Sequence, residues 1–166
     1  MHDHEIYMRI VLKEAWKAYE IGEVPIGAMI ITNNGTILSK AHNETITRND
    51  PAAHAEILAL RKAAETINNY RLNNTRMYVT IEPCIMCAGA LIHARVEEII
   101  YGAPDPKWGG LKSLYQFGND KRLNHRLKVT SGILESDCEE IIKRFFKEKR
   151  KAKEETAPLL LDPFSL

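Results

Sequence analysis

The sequence predicts an α/β fold: a mixed five-stranded sheet with helices on both faces. Three observations carry that expectation. Two β-rich runs, Ile26 to Thr32 and Thr36 to Ala41, flank Asn33-Asn34-Gly35, which has the composition of a hairpin turn. Beyond them, strand-length apolar stretches alternate with segments of helical period, the pattern of a sheet joined by crossover helices. Finally, two groups of metal-ligating side chains fall at helix starts beside loops or strand ends, where such sheets usually place their ligands.

Taken in order, Ile6 to Gly22 has Ile6, Ile10, Val11, Ala15, Ala18 and Tyr19 at helical spacing, and Gly22 suits the cap. The hairpin follows, then a polar loop from His42 to Pro51. His54 to about Ile67 reads as a helix, Arg76 to Thr80 as a short strand, Cys84 to about Ala94 as an apolar helix, and Glu98 to Tyr101 as a strand. Gly102 to Gly110, with Pro104 and Pro106, is a loop, and Leu111 to Phe117 suggests one or two helical turns. Leu127 to Ser131 fits a last strand and Glu135 to about Lys153 a long terminal helix. Glu154 to Leu166 departs in composition, with Pro158 and Pro163 flanking three leucines, and reads as a tail outside the core. No internal repeat is apparent.

The chemistry lies in His54-Ala55-Glu56 and Pro83-Cys84-Ile85-Met86-Cys87. A catalytic zinc site takes three protein ligands and keeps one position for water, whereas a structural site is closed by four. His54, Cys84 and Cys87 supply three. Glu56, two residues past the histidine, is left for proton traffic with a water acidified by the metal. Pro83 suits a helix start, and the amides there favour the thiolate form of the cysteines. Asp50 and Pro51 give similar chemistry ahead of His54.

The alternatives are a redox dithiol or half of a structural zinc knuckle. A closed site needs a fourth ligand from Cys138, His42, His93 or His125. Cys138 keeps step with Leu134, Ile141, Ile142 and Phe145 and belongs on a core face. His93, on an apolar helix, reads as a satisfied core histidine, and His2 and His4 sit at a terminus expected to be mobile. A structural site also leaves Glu56 without a purpose.

Composition bounds the rest. At 166 residues, 45% hydrophobic and 27% charged, the chain suits one soluble domain. No run approaches the roughly 20 apolar residues of a membrane span, and the polar start Met1-His2-Asp3-His4-Glu5 offers no signal peptide. Three cysteines, two of them in a metal motif, make no disulfide framework and point to a reducing cytoplasm. The net charge of +1 conceals a run of seven basic residues against Glu148: Lys143, Arg144, Lys147, Lys149, Arg150, Lys151 and Lys153. Phe145 and Phe146 lie inside it, and Lys121, Arg122, Arg126 and Lys128 form a second cluster. Basic side chains on phosphates and aromatics on bases are the footprint of single-stranded RNA binding. The plainer reading is a solvated helix end whose phenylalanines face the core.

His-x-Glu with Pro-Cys-x-x-Cys is the signature of zinc nucleobase deaminases. With Glu23-Val24-Pro25-Ile26-Gly27-Ala28, Asn43, Asp50-Pro51, Tyr78-Val79-Thr80-Ile81-Glu82, Asn124-His125-Arg126 and Phe145-Phe146, the chain resembles the bacterial tRNA-specific adenosine deaminases from about Ile6 to about Arg150. The resemblance implies a three-layer α/β/α, cytidine-deaminase-like domain over residues 1–153, with one zinc. It implies a homodimer that converts the wobble adenosine of an arginine tRNA anticodon loop to inosine. Carried over by position, Asn43 hydrogen-bonds the target nucleotide, Asp105 and Lys107 touch RNA backbone or ribose, and Phe145 and Phe146 line the channel for neighbouring bases. The chain departs from the family at Trp108, at the Gly109-Gly110 pair, and at Lys149, where an arginine is frequent. A competing expectation is a zinc deaminase of free guanine, cytosine or nucleosides, for which the basic helix has no role. An inactive RNA-binding subunit is disfavoured, because it has no need of Glu56.

Overall fold

The computed structural model describes residues 2–156. Its sheet has the strand order β2-β1-β3-β4-β5: β1 (Gly27–Thr32), β2 (Ile37–His42), β3 (Thr75–Ile81), β4 (Glu98–Ala103) and β5 (Lys128–Ser131). β1 runs antiparallel to both β2 and β3, whereas β3, β4 and β5 are mutually parallel. The helices are α1 (His2–Glu20), α2 (Thr45–Arg48), α3 (Ala55–Ile67), α4 (Ile85–His93) and α5 (Glu135–Thr156).

Strand periodicity divides the apolar residues between two faces. Ala28, Ile30, Met77, Val79, Ile99 and Tyr101 point to one side and bury Leu58, Ala59, Ala63, Ala88 and Leu91 of α3 and α4. Met29, Ile31, Tyr78 and Ile100 point to the other, against Met8 and Val11 of α1 and Cys138 of α5. The expected mixed sheet with helices on both faces is what forms.

Gly22 does the capping expected of it. At φ +80° it follows α1, with Glu23 N–H bonded to the Ala18 carbonyl at 2.9 Å and Gly22 N–H to Tyr19 at 3.0 Å, a Schellman motif. Elsewhere the sequence expectations need correction. The polar loop after β2 contains α2, and Leu111 to Phe117 is not helical but a series of turns ending in a short 3₁₀ turn, Phe117–Asn119. His4, placed by sequence at a mobile end, lies within α1 with a ring nitrogen 2.8 Å from the Tyr78 hydroxyl. The terminal helix passes Lys153 to Thr156, and the remainder of the expected tail lies outside the described residues.

Candidate active site

The two halves of the motif meet where α3 and α4 begin. His54 and Cys84 are the N-cap residues of these helices, both with extended backbone, and neither side chain caps its own helix. Asn43 takes over that duty for α3: its Oδ1 accepts the Ala55 N–H at 2.8 Å. Freed from capping, His54 and Cys84 turn toward each other, and Cys87, one turn into α4, joins them from the buried side. His54 Nδ1 lies 3.7 Å from Cys84 Sγ and 3.6 Å from Cys87 Sγ. A tetrahedral zinc with ordinary Zn–N and Zn–S bonds has N···S edges of about 3.6 Å. The donor set therefore fits that ion through Nδ1 and two sulfurs.

Glu56, on the first turn of α3, is 3% exposed, and its Oε2 has no hydrogen-bond partner. Burial pushes its carboxyl up to about 7. The Cys84 thiol is drawn down to about 4, chiefly by a hydrogen bond from Cys87 and further by His54, while Cys87 is raised by that same bond and by burial. His54 is raised by its bond to Cys84. The Cys84 sulfur is thus held as a thiolate by protons on Cys87 and His54, which a bound cation would displace.

No fourth ligand joins the set among the described residues. His42 is held by Glu14 at 3.3 Å, His125 Nε2 sits 2.6 Å from the Val96 carbonyl, and Cys138 is buried in the opposite core layer with its thiol raised to about 12 by burial. His93 is exposed at the end of α4, not the core histidine its sequence position suggested. The set is the open, three-ligand type.

Around it, Asn43 is buried and has one amide spare, since Nδ2 has no protein partner among the described residues. Asp105 spends its carboxylate on its own loop, accepting the Lys107 and Trp108 N–H groups at 2.9 and 3.1 Å. Lys107 and Trp108 are exposed. The loop's anchor is a residue that sequence reasoning missed. Glu82, at the end of β3 and 2% exposed, accepts the Leu111, Lys112 and Ser113 N–H groups on Oε1 at 3.1, 2.7 and 3.0 Å. Its Oε2 accepts the Asp105 N–H at 3.2 Å and the Ser113 hydroxyl. In the sequence it stands only as the last residue of the Tyr78-Val79-Thr80-Ile81-Glu82 stretch, with nothing local to show what it holds. The Gly109-Gly110 pair now has a steric reason: a Cβ on Gly109 would lie 2.5 Å from the Glu82 carboxylate, and one on Gly110 3.1 Å from the Cys84 carbonyl.

Residues 2–150 match the model of the MafB19-like deaminase family. The tRNA-specific adenosine deaminase of Haemophilus influenzae is 44% identical over 156 residues, covering 94% of this chain and 90% of its own. The chain belongs to the tRNA-specific adenosine deaminases. The enzyme of that kind from Bacillus subtilis is likewise 44% identical, over 92% of this chain and 94% of its own. A solved structure from work on A-to-I editing by tRNA:A34 deaminases at the wobble position superposes with a TM-score of 0.78 at 42% identity, covering 81% of this chain and 96% of that one. A guanine deaminase of Nitrosomonas europaea, 21% identical with a TM-score of 0.74 over 85% of this chain and 83% of its own, shares the fold.

The terminal helix α5 separates the two phenylalanines. Phe145 is 6% exposed, edge-on to Tyr19 at 5.7 Å, with the Lys149 ammonium over its ring; Phe146 is 43% exposed. Lys147 and Arg150 lie exposed beside Phe146. In the second basic cluster, Lys121, Arg126 and Lys128 line a cavity of about 510 Å³, while Arg122 is paired with Asp120 at 2.7 Å.

Proposed function

We propose that the chain hydrolyses the wobble adenosine of a tRNA anticodon loop to inosine with release of ammonia. The observation that carries this reading is the buried Glu56 carboxylate, with one oxygen free of any hydrogen-bond partner, beside an open set of His54, Cys84 and Cys87. Those three residues would hold zinc, which when bound supplies the Lewis acidity that brings water near neutral pKa. Glu56 takes one proton from the attacking water and passes it to the purine ring nitrogen as the water oxygen adds to the amine-bearing carbon. It then takes the second proton from that oxygen and gives it to the amine, which leaves as ammonia as the carbonyl forms. Its raised pKa suits a group that must both accept and return a proton.

A base stacked in a duplex does not reach such a site, so the adenosine is flipped from a loop, where Asn43 Nδ2 donates to it. Lys107 and Asp105 lie on the loop that meets the RNA backbone or ribose. Phe146 stacks on a neighbouring base, Phe145 fixes the channel wall behind it, and the basic residues of α5 follow phosphates. The exposed Ile85 and Met86 of α4, with Leu114 and Tyr115 nearby on the hydrogen-bonded loop, support a homodimer that covers this side of the site. The remaining parts of the reading are a catalytic domain over residues 1–153, an arginine tRNA as substrate, and a cytoplasmic location. No described helix is long and apolar enough to cross a membrane.

The test is inosine and ammonia production from an anticodon stem-loop beside free adenosine, cytidine and guanine. Turnover of the stem-loop alone supports the reading. Free bases turned over as efficiently as the stem-loop assign the chain to small-molecule deamination instead.

A further inference from the structure

We propose that Glu82 is a positioning residue: buried, it holds the Asp105–Ser113 loop in RNA-receiving shape against the Cys84 end of the metal site. This rests on the function proposed above. One carboxylate is the acceptor for four backbone N–H groups and one hydroxyl, all from that loop. Glu82 also stands two residues before Cys84, and the loop returns to this strand end: Gly110 N–H bonds the Pro83 carbonyl at 2.8 Å, and Gly109 forms a bridge with Cys84. The Glu82 side chain, with these two backbone contacts, thus ties the loop that carries the exposed Lys107 and Trp108 to the Cys84 end of the strand.

Glu82→Gln discriminates this role. The amide oxygen can keep the three donors on the Oε1 side. The amide nitrogen then faces the Asp105 N–H, donor against donor, although the Ser113 hydroxyl can turn to accept. Ser113→Ala removes one donor only and is the milder second variant.

Zinc-loaded wild type, Glu82→Gln and Ser113→Ala are compared by hydrogen exchange, zinc content, stem-loop affinity and single-turnover rate at saturating stem-loop. Glu82→Gln is expected to keep its zinc and speed exchange at the Asp105, Leu111, Lys112 and Ser113 amides. It should weaken stem-loop binding by about tenfold to a hundredfold, as when a hydrogen bond to a charged group is lost, with a rate within about threefold of wild type. Ser113→Ala should move in the same direction by less. Unchanged affinity overturns the proposal, as does loss of zinc or a fall in rate at constant affinity. If the wild type makes no inosine, the functional reading fails, while exchange and affinity, which need no turnover, still decide the role of Glu82.

Discussion

Replacing Glu56 with glutamine keeps the shape of the side chain and abolishes its ability to accept and return a proton. Among the described residues no other carboxylate has a buried oxygen without a hydrogen-bond partner, so nothing near the triad is placed to substitute. The loss in single-turnover deamination of the stem-loop is therefore at least the ~10²–10⁴-fold of a general acid–base group, or about 3 to 5 kcal/mol of barrier. Zinc content and RNA affinity should hold, because Glu56 is not a ligand.

The same burial has a cost that denaturation can read. The folded carboxyl titrates at about 7 against an ordinary 4.5, so it destabilises the fold above the unfolded value, increasingly until the folded pKa is passed. In metal-stripped protein the penalty is about 3 kcal/mol at pH 8 and falls below about 1 kcal/mol at pH 5. Glutamine has no such titration but strands a buried amide, which costs about 1–3 kcal/mol at any pH. Chelated Glu56→Gln should thus be no more stable than wild type at pH 5 and gain on it by about 2 kcal/mol at pH 8. Urea melts at the two pH values check this. Zinc lost in step with activity, or a stability difference that does not grow with pH, would refute the reasoning.

Cys87→Ala should reduce zinc from about one per chain to none, with activity, because a site with three protein donors has none in reserve; metal analysis of the purified protein decides it. Phe146→Ala should weaken stem-loop binding by about tenfold to a hundredfold with little change in stability. Phe145→Ala should cost about 3–5 kcal/mol of folding free energy instead, read by melting. Lys147→Ala and Arg150→Ala should each weaken RNA binding less and flatten the dependence of log affinity on log salt by about one unit or less, measured across a salt series; binding indifferent to salt would count against any phosphate contact.

The cluster of His54, Cys84 and Cys87 was legible in the sequence because its information is local. His54, Cys84 and Cys87 sit at or one turn past two helix starts, and a helix start, such as the one that Pro83 precedes, fixes where a side chain at that position must point. The sheet was legible for a similar reason: the alternation of Met29, Ile30 and Ile31, or of Met77, Tyr78 and Val79, sorts each strand between two cores without outside help. The errors share a different cause. Leu111 to Phe117 has the apolar spacing of a helix, but the Leu111, Lys112 and Ser113 amides go to Glu82, about thirty residues earlier in the chain, leaving no i−4 ladder to build on. The polar loop that turned out to hold α2 is organised in the same way, by Glu23, fully buried, which accepts the Thr47 N–H at 2.6 Å and the Thr45 hydroxyl at 3.1 Å. In both places a buried carboxylate far away in sequence sets the backbone of a segment whose own residues do not specify it. Local pattern locates the groups that do chemistry, whereas the loops around them are shaped by distant acids that a window of a dozen residues never contains. Glu82 therefore links two parts of this protein that its sequence keeps apart: a metal ligand two residues away, and the loop proposed to receive RNA.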